Sequence, residues 1–299
     1  MREIFATAAR WIDSRQRFAL ATLVDLQRAK TAPLGTTIAV DAAGAIAGNI
    51  GAGCYEGQIV DAARQTAADG ATRRLDINLD LDDDLLGGTA CGAVMRIIVW
   101  RPEPDFLPTA LAIAAGERAV ELRVEEFRCT FEPKAPLLLV GATSLAQALC
   151  ALAKQADFRT TVIDPRPAFA TAERLPDADD IVREWPEDFL PRALEASSAV
   201  VVLSHDPKLD IPALTRALQS PAAYVGLLGS RRAQAARRRA LIDAGVSEEQ
   251  LGRLHGPVGL DIGGRTPAET AISILAEIIA VRSGRGAAGP LRGLAGTIH

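Results

Sequence analysis

Leu137-Leu138-Leu139-Val140-Gly141-Ala142-Thr143-Ser144-Leu145-Ala146, answered further on by Thr160-Thr161-Val162-Ile163-Asp164, is the stretch that decides the fold. Four consecutive branched apolar residues without polar alternation read as a strand buried on both faces. The small-residue turn after it leads into a helix ending near Ala156, and the second strand closes on Asp164. Asp164 lies 23 residues beyond Gly141, the separation at which a dinucleotide-type β-turn-α-β unit carries its ribose-reading acid. Buried strands at Ser198 to Ser204 and Ala223 to Leu228, each followed by a helix, extend the pattern. Alternation of this kind predicts a Rossmann-like parallel sheet over residues 137–282. The phosphate turn departs from Gly-x-Gly-x-x-Gly, with Thr143 and Ala146 where the second and third glycines would stand. Alanine at the third position concerns only helix packing. Thr143 puts a branched side chain where backbone should approach a pyrophosphate, which weighs against ordinary NAD binding.

With 299 residues the chain can build two cores. Hydrophobic residues make up 48% and aromatic residues 4%, as expected of an alanine-rich α/β protein. The formal net charge of -4 excludes a general nucleic-acid binder, which needs a basic field. Cys54, Cys91, Cys129 and Cys150 are far apart and form no C-x-x-C pair, so they are neither a disulfide framework nor a structural zinc site. There is no apolar leader, and no apolar run approaches the ~20 residues of a membrane span, so a cytoplasmic location is expected.

Ahead of the Rossmann-like segment the patterns are mixed, predicting a small α+β domain over residues 1–102. Helical spacing covers Met1 to Ser14, and strands are expected at Phe18 to Leu26, Thr36 to Val40, Thr72 to Leu79 and Ala93 to Trp100. Gly48 to Gly57 carries four glycines in ten residues with Cys54 before an expected helix from Tyr55 to Asp69. Such a turn can bring amides close to a bound anion, and a helix N-terminus lowers a thiol's pKa; a turn with a buried small cysteine is the other reading. Gly87 to Gly92 is a second glycine turn with one cysteine, Cys91, and spacing leaves open whether the two sulfurs meet. The acidic run Asp80 to Asp84 lacks the pattern of a calcium loop and reads as solvated. Residues 103–136 read as a connecting segment with a helix at Leu107 to Ala119, a strand at Val120 to Phe131 and a linker at Glu132 to Pro136. Residues 283–299 read as a glycine-rich, flexible tail.

Strand ends of the Rossmann-like segment hold the remaining candidates, because ligands bind at the carboxyl edge of open α/β sheets. His205 and Asp206 follow one strand. Ser230 and Arg231 follow the next, with Ser230 as an expected N-cap. Arg237 to Arg239 read as a solvated helix face. His255, Asp261 and Arg265 lie in a glycine-rich loop before Thr266-Pro267-Ala268-Glu269, a capping box with proline at the first helical position, opening a helix to about Val281.

Taken together, Ala47 to Gly57, Gly87 to Gly92, Leu138 to Ala148, Val162 to Arg174, Val200 to Asp210, Pro221 to Arg232 and His255 to Arg282 resemble the xanthine dehydrogenase accessory protein family (XdhC/CoxI). The resemblance implies a chaperone that binds molybdopterin molybdenum cofactor and protects it while a partner cysteine desulfurase replaces an oxygen by sulfur. It then delivers the cofactor to an apo molybdenum hydroxylase. Action would be by hand-over, without turnover. Carried over, Cys54 and Cys91 are the sulfur-bearing or metal-contacting positions. Gly51, Gly53, Glu56 and Gly92 would join them as cofactor-binding residues, with Gly141, Asp164, His205, Asp206, Ser230, Arg231, His255 and Asp261 at the strand ends. A soft thiolate suits molybdenum or persulfide, and glycine amides suit a pterin phosphate. The chain departs from the family at Thr143, and whether the cofactor is plain or nucleotide-bearing stays open. The alternatives are an NAD(P)-dependent oxidoreductase with Asp164 on the ribose and His205 as acid/base, and a thiol enzyme acting through Cys54. A homodimer is expected, because a small sheet leaves edges to cover.

Overall fold

The computed structural model describes residues 1–27, 32–50, 56–78, 94–285 and 289. The chain divides after Pro133 into two units.

In the first unit α1 (Arg2–Asp13) precedes β1 (Phe18–Gln27), β2 (Thr37–Asp41) and β3 (Ile46–Ala47), with α2 (Glu56–Asp69), β4 (Arg73–Asn78) and β5 (Val94–Trp100) after them. The strands form an antiparallel sheet in the order β3-β2-β1-β5-β4, with a register shift between Leu23 and Asp25. Its residues alternate between two cores. Ala19, Ala21, Leu23, Val40, Ile97 and Val99 pack against Ile59, Ala63 and Ala67 of α2. Ile98, on the opposite face, packs with Phe5 and Ala9 of α1 and with residues beyond Trp100. Those residues are α3 (Leu107–Ala115) and the hairpin of β6 (Val120–Val124) and β7 (Phe127–Phe131). The expected single strand from Val120 to Phe131 is therefore two, turning at Glu125, which adopts a φ of 53°. Alternation cannot show that turn, because a glutamate pair fits an exposed strand as well as a tight loop. Residues 103–133, read as part of a connecting segment, supply Ala110, Ile113, Leu122 and Phe131 to this core.

In the second unit β8 (Ala135–Val140), α4 (Ser144–Gln155), β9 (Phe158–Ile163), β10 (Asp180–Val182), α5 (Pro186–Ala193), β11 (Ala199–Val202), α6 (Pro207–Leu218), β12 (Tyr224–Leu227), α7 (Arg231–Asp243), α8 (Glu248–Leu251), β13 (Leu254–His255) and α9 (Pro267–Arg282) follow in turn. The six strands are parallel in the order β10-β9-β8-β11-β12-β13. This is the 3-2-1-4-5-6 order of dinucleotide-binding sheets. Both faces are covered. Leu137, Leu139, Val162 and Val201 pack with buried residues of α4 and α9. Leu138, Val140, Ile163, Val200 and Val202 pack with Leu190, Leu214 and Leu241 on the other side. Double burial explains why these strands read as unbroken apolar runs. The Rossmann-like expectation is met; β10 and β13 are too short to show a period.

Candidate functional site

Gly51, Gly53, Cys54, Cys91 and Gly92 lie outside the described residues, as does the acidic run at 80–84. Glu56 opens α2 and is half-buried. Gly48, the first residue of the glycine turn, has a φ of +93° and packs so closely that a Cβ would sit 2.6 Å from Ile4 Cγ1.

In the second unit the strand order reverses between β8 and β11, where such sheets open a crevice. Gly141 turns the chain there with a φ of +105°, and a Cβ on it would lie 3.0 Å from both Cβ and N of Ser204. A side chain at 141 would wedge the two strand ends apart. Thr143 N-caps α4, its hydroxyl accepting from the Ala146 amide at 3.2 Å. It therefore takes one of the amides a phosphate would otherwise find, while Ser144 and Leu145 keep first-turn amides that no intrahelical carbonyl can reach.

Ala142, Thr143, Arg166, Phe169, Arg174 and the run from Leu203 to Pro207 line a crevice of about 530 Å³. A neighbouring cleft of about 330 Å³ shares Ala142, Thr143 and Arg174 and adds Ser144, Gln147, Glu173 and Leu175. These volumes suit small-molecule ligands. His205 and Asp206 thus share the crevice, and Gly141 abuts Ser204 beside them. His205 is exposed, and Asp206 N-caps α6 by accepting from the Lys208 amide at 3.0 Å.

Asp164 stands at the end of β9 as expected, but its carboxylate is turned inward and is 0% exposed. It accepts from the Ala142 amide at 2.9 Å, the Arg166 amide at 3.0 Å and the Arg166 guanidinium at 2.9 and 2.7 Å. Burial works against the charge, but the Arg166 guanidinium and the two amides outweigh it and hold the carboxyl below its ordinary value. The four bonds leave Asp164 no surface toward a ribose. Its place on the crevice wall is taken by Arg166, which lies 4.4 Å over the Phe169 ring, with Arg174 at 5.4 Å from the same ring. Sequence reading passed over Arg166, Phe169 and Arg174. Two arginines flanking an aromatic in the loop after the ribose-reading strand were the available signal.

Behind the crevice, Ser204 Oγ–H donates to the buried Asp210, whose other oxygen accepts from Arg237 at 2.9 Å. Burial raises the Asp210 carboxyl, against the opposing pull of the Ser204 hydroxyl and the Arg237 guanidinium. Arg237, read as part of a solvated face, is in fact 13% exposed and ties α7 to the strand ends.

Ser230, Arg231, His255 and Asp261 are not among the residues that line either cleft. Ser230 and Arg231 are exposed at the start of α7. His255 stacks on Tyr224 at 4.4 Å, and its Nδ1 is 3.2 Å from Glu277 Oε1. Glu277 also accepts from the Tyr224 hydroxyl and, at 2.8 Å, from the Gly259 amide. Burial, with Glu277 as its hydrogen-bond partner, raises the Tyr224 hydroxyl far above the ordinary phenol value. This cluster fastens α9 and its preceding loop to the sheet edge. Tyr224 and Glu277 carry no motif and were invisible in sequence. Asp261 and the Arg265 side chain are exposed, and the capping box of Thr266 and Glu269 is formed.

A doubly wound sheet in this order, with an arginine-bearing crevice at its switch point and a separate mixed unit ahead of it, defines a two-unit α/β protein with a Rossmann-like second unit. Residues 137–278 match the XdhC Rossmann domain and residues 11–78 match the XdhC and CoxI family. The chain belongs to that family. It is 29% identical to the uncharacterized protein YqeB of Escherichia coli (strain K12), over 94% of this chain and 46% of YqeB. It is 24% identical to the molybdenum cofactor insertion chaperone PaoD of the same strain, over 94% of this chain and 88% of PaoD. A probable xanthine dehydrogenase subunit of Bacillus subtilis (strain 168) is 34% identical over 50% of this chain and 44% of its own length. The chain thus spans under half the length of two of these relatives. A crystal structure described as a xanthine dehydrogenase from Bacillus halodurans shares the fold, with a TM-score of 0.77, 22% identity and coverage of 94% of this chain and 96% of that one. Among the described residues no helix is long and apolar enough to cross a membrane.

Proposed function

We propose that this protein binds molybdenum cofactor as cargo, protects it during sulfuration by a cysteine desulfurase and inserts it into an apo molybdenum hydroxylase of the xanthine dehydrogenase type. The observation that carries the reading is the relation to PaoD, which runs along 94% of this chain and 88% of that protein. The crevice supports it chemically: guanidiniums and first-turn amides at a switch point suit a phosphate-bearing molecule. Gly51, Gly53, Glu56 and Gly92 would contact the cargo beside Cys54 and Cys91, the sulfur or molybdenum contacts. A thiol held at a helix N-terminus favours thiolate, as a contact of this kind requires. The edge strands β3 and β4 offer a surface for a homodimer, and a cytoplasmic location fits reduced thiols.

The test is anaerobic incubation of the purified protein with molybdenum cofactor, followed by gel filtration and pterin detection. Co-elution that is lost on Cys54→Ala supports the reading, and a wild type that retains no pterin refutes it. A second reading, an NAD(P)-dependent oxidoreductase, draws on the position of His205 in the crevice wall. The inward Asp164 counts against a dinucleotide with a free ribose diol and the capping role of Thr143 against a bound pyrophosphate; a nicotinamide fluorescence titration showing micromolar binding would revive it.

A further inference from the structure

In a sheet of this order the loop after the second strand meets the ribose of a bound nucleotide, with an acid for a free 2′-hydroxyl or an arginine for a 2′-phosphate. Here the acid is withdrawn. All four hydrogen bonds to Asp164 come from its own chain. They engage Nε and Nη2 of Arg166, whose side chain is 42% exposed and lines the crevice. Arg174 adds a second guanidinium, which has no ion pair among the described residues. Phe169, 40% exposed, sits against both and holds them near one another.

The opposite wall runs from Leu203 to Pro207. Its one carboxylate, Asp206, is compensated by the N-terminus of α6, which it caps. His205 faces the same space, and Glu173 lies beyond Arg174 in the neighbouring cleft. We propose that this crevice binds a nucleotide carrying a phosphate monoester on its ribose, with Arg166 and Arg174 on that phosphate. Paired guanidiniums give charge-assisted bonds to a dianion that a free diol cannot match. The site is a ligand-binding function of the second unit in its own right and does not depend on the cargo reading.

Isothermal titration of the full chain with 2′,5′-ADP, 5′-AMP and inorganic phosphate tests it. Expected is 2′,5′-ADP binding at least tenfold tighter than either 5′-AMP or inorganic phosphate. Arg174 is exposed, so Arg174→Ala leaves the fold intact and is expected to weaken 2′,5′-ADP about tenfold while sparing 5′-AMP. Asp206→Asn, which removes the opposing charge, should tighten 2′,5′-ADP. Equal affinity for the two nucleotides, no binding of either at millimolar concentration, or an unchanged preference in Arg174→Ala overturns the proposal. Inorganic phosphate matching 2′,5′-ADP also overturns it, because the site would then read an anion alone. Pterin co-elution is measured separately, so failure of the nucleotide site and failure of the cargo reading are distinguishable.

Discussion

Replacing Asp164 by alanine separates a structural carboxylate from a ligand-reading one. The substitution strips acceptors from the Ala142 and Arg166 amides and from the Arg166 guanidinium. Ala142 is 2% exposed, so its orphaned N–H costs about 1–3 kcal/mol. The Arg166 side chain is 42% exposed and regains water, so its lost pairing adds only about 1 kcal/mol. The sum is about 2–4 kcal/mol, or roughly 4–16 °C in Tm for a unit of this size. The sign with pH follows from the lowered carboxyl. Its folded value lies below the ordinary 3.8, so its contribution is present above that value and is lost as pH falls through the folded one. The gap between wild type and Asp164→Ala, followed by circular dichroism on heating, should be full at pH 7 and shrink only as pH falls below the ordinary carboxylate value of 3.8. A Tm loss under about 2 °C at pH 7 would refute the assignment, and would do so decisively if nucleotide affinity fell at the same time.

Other substitutions probe the same unit. Gly141→Ala places a Cβ at 3.0 Å from Ser204 at a positive φ; it should destabilise by about 1–3 kcal/mol in chemical denaturation and weaken any crevice ligand. Tyr224→Phe should destabilise by about 1–2 kcal/mol. Because Glu277 and burial keep the phenol protonated, its 295 nm titration curve should overlay that of wild type up to about pH 11. Cys150, on the buried face of α4, is pushed up to about 11 by burial. Iodoacetamide at pH 8 should leave it unmodified in peptide mass spectra of the native protein and alkylate it after denaturation. Thr266→Ala removes the α9 cap and should lower stability by about 1 kcal/mol by the same denaturation assay.

Much of the fold was legible because each decisive signal was local. The runs Leu137 to Val140 and Thr160 to Ile163 fall on β8 and β9, and the capping box falls on Thr266 and Glu269. Legibility failed where a residue's partner came from elsewhere. Arg237 sits in a run of three arginines that any reading would place in solvent, yet it meets Asp210 across 27 positions. His255 looked like a loop candidate until Tyr224 and Glu277 closed around it. Asp164 was placed correctly at its strand end, but its neighbour Arg166 turned the carboxylate away from the crevice.

By itself, then, the sequence determined most element types and the parallel sheet, because burial periodicity and turn chemistry are written in neighbouring residues. Only the tertiary structure decided which side chains face the crevice. That choice depends on hydrogen bonds closed between distant segments, and it put Arg166, Phe169 and Arg174 where the motif had placed Asp164.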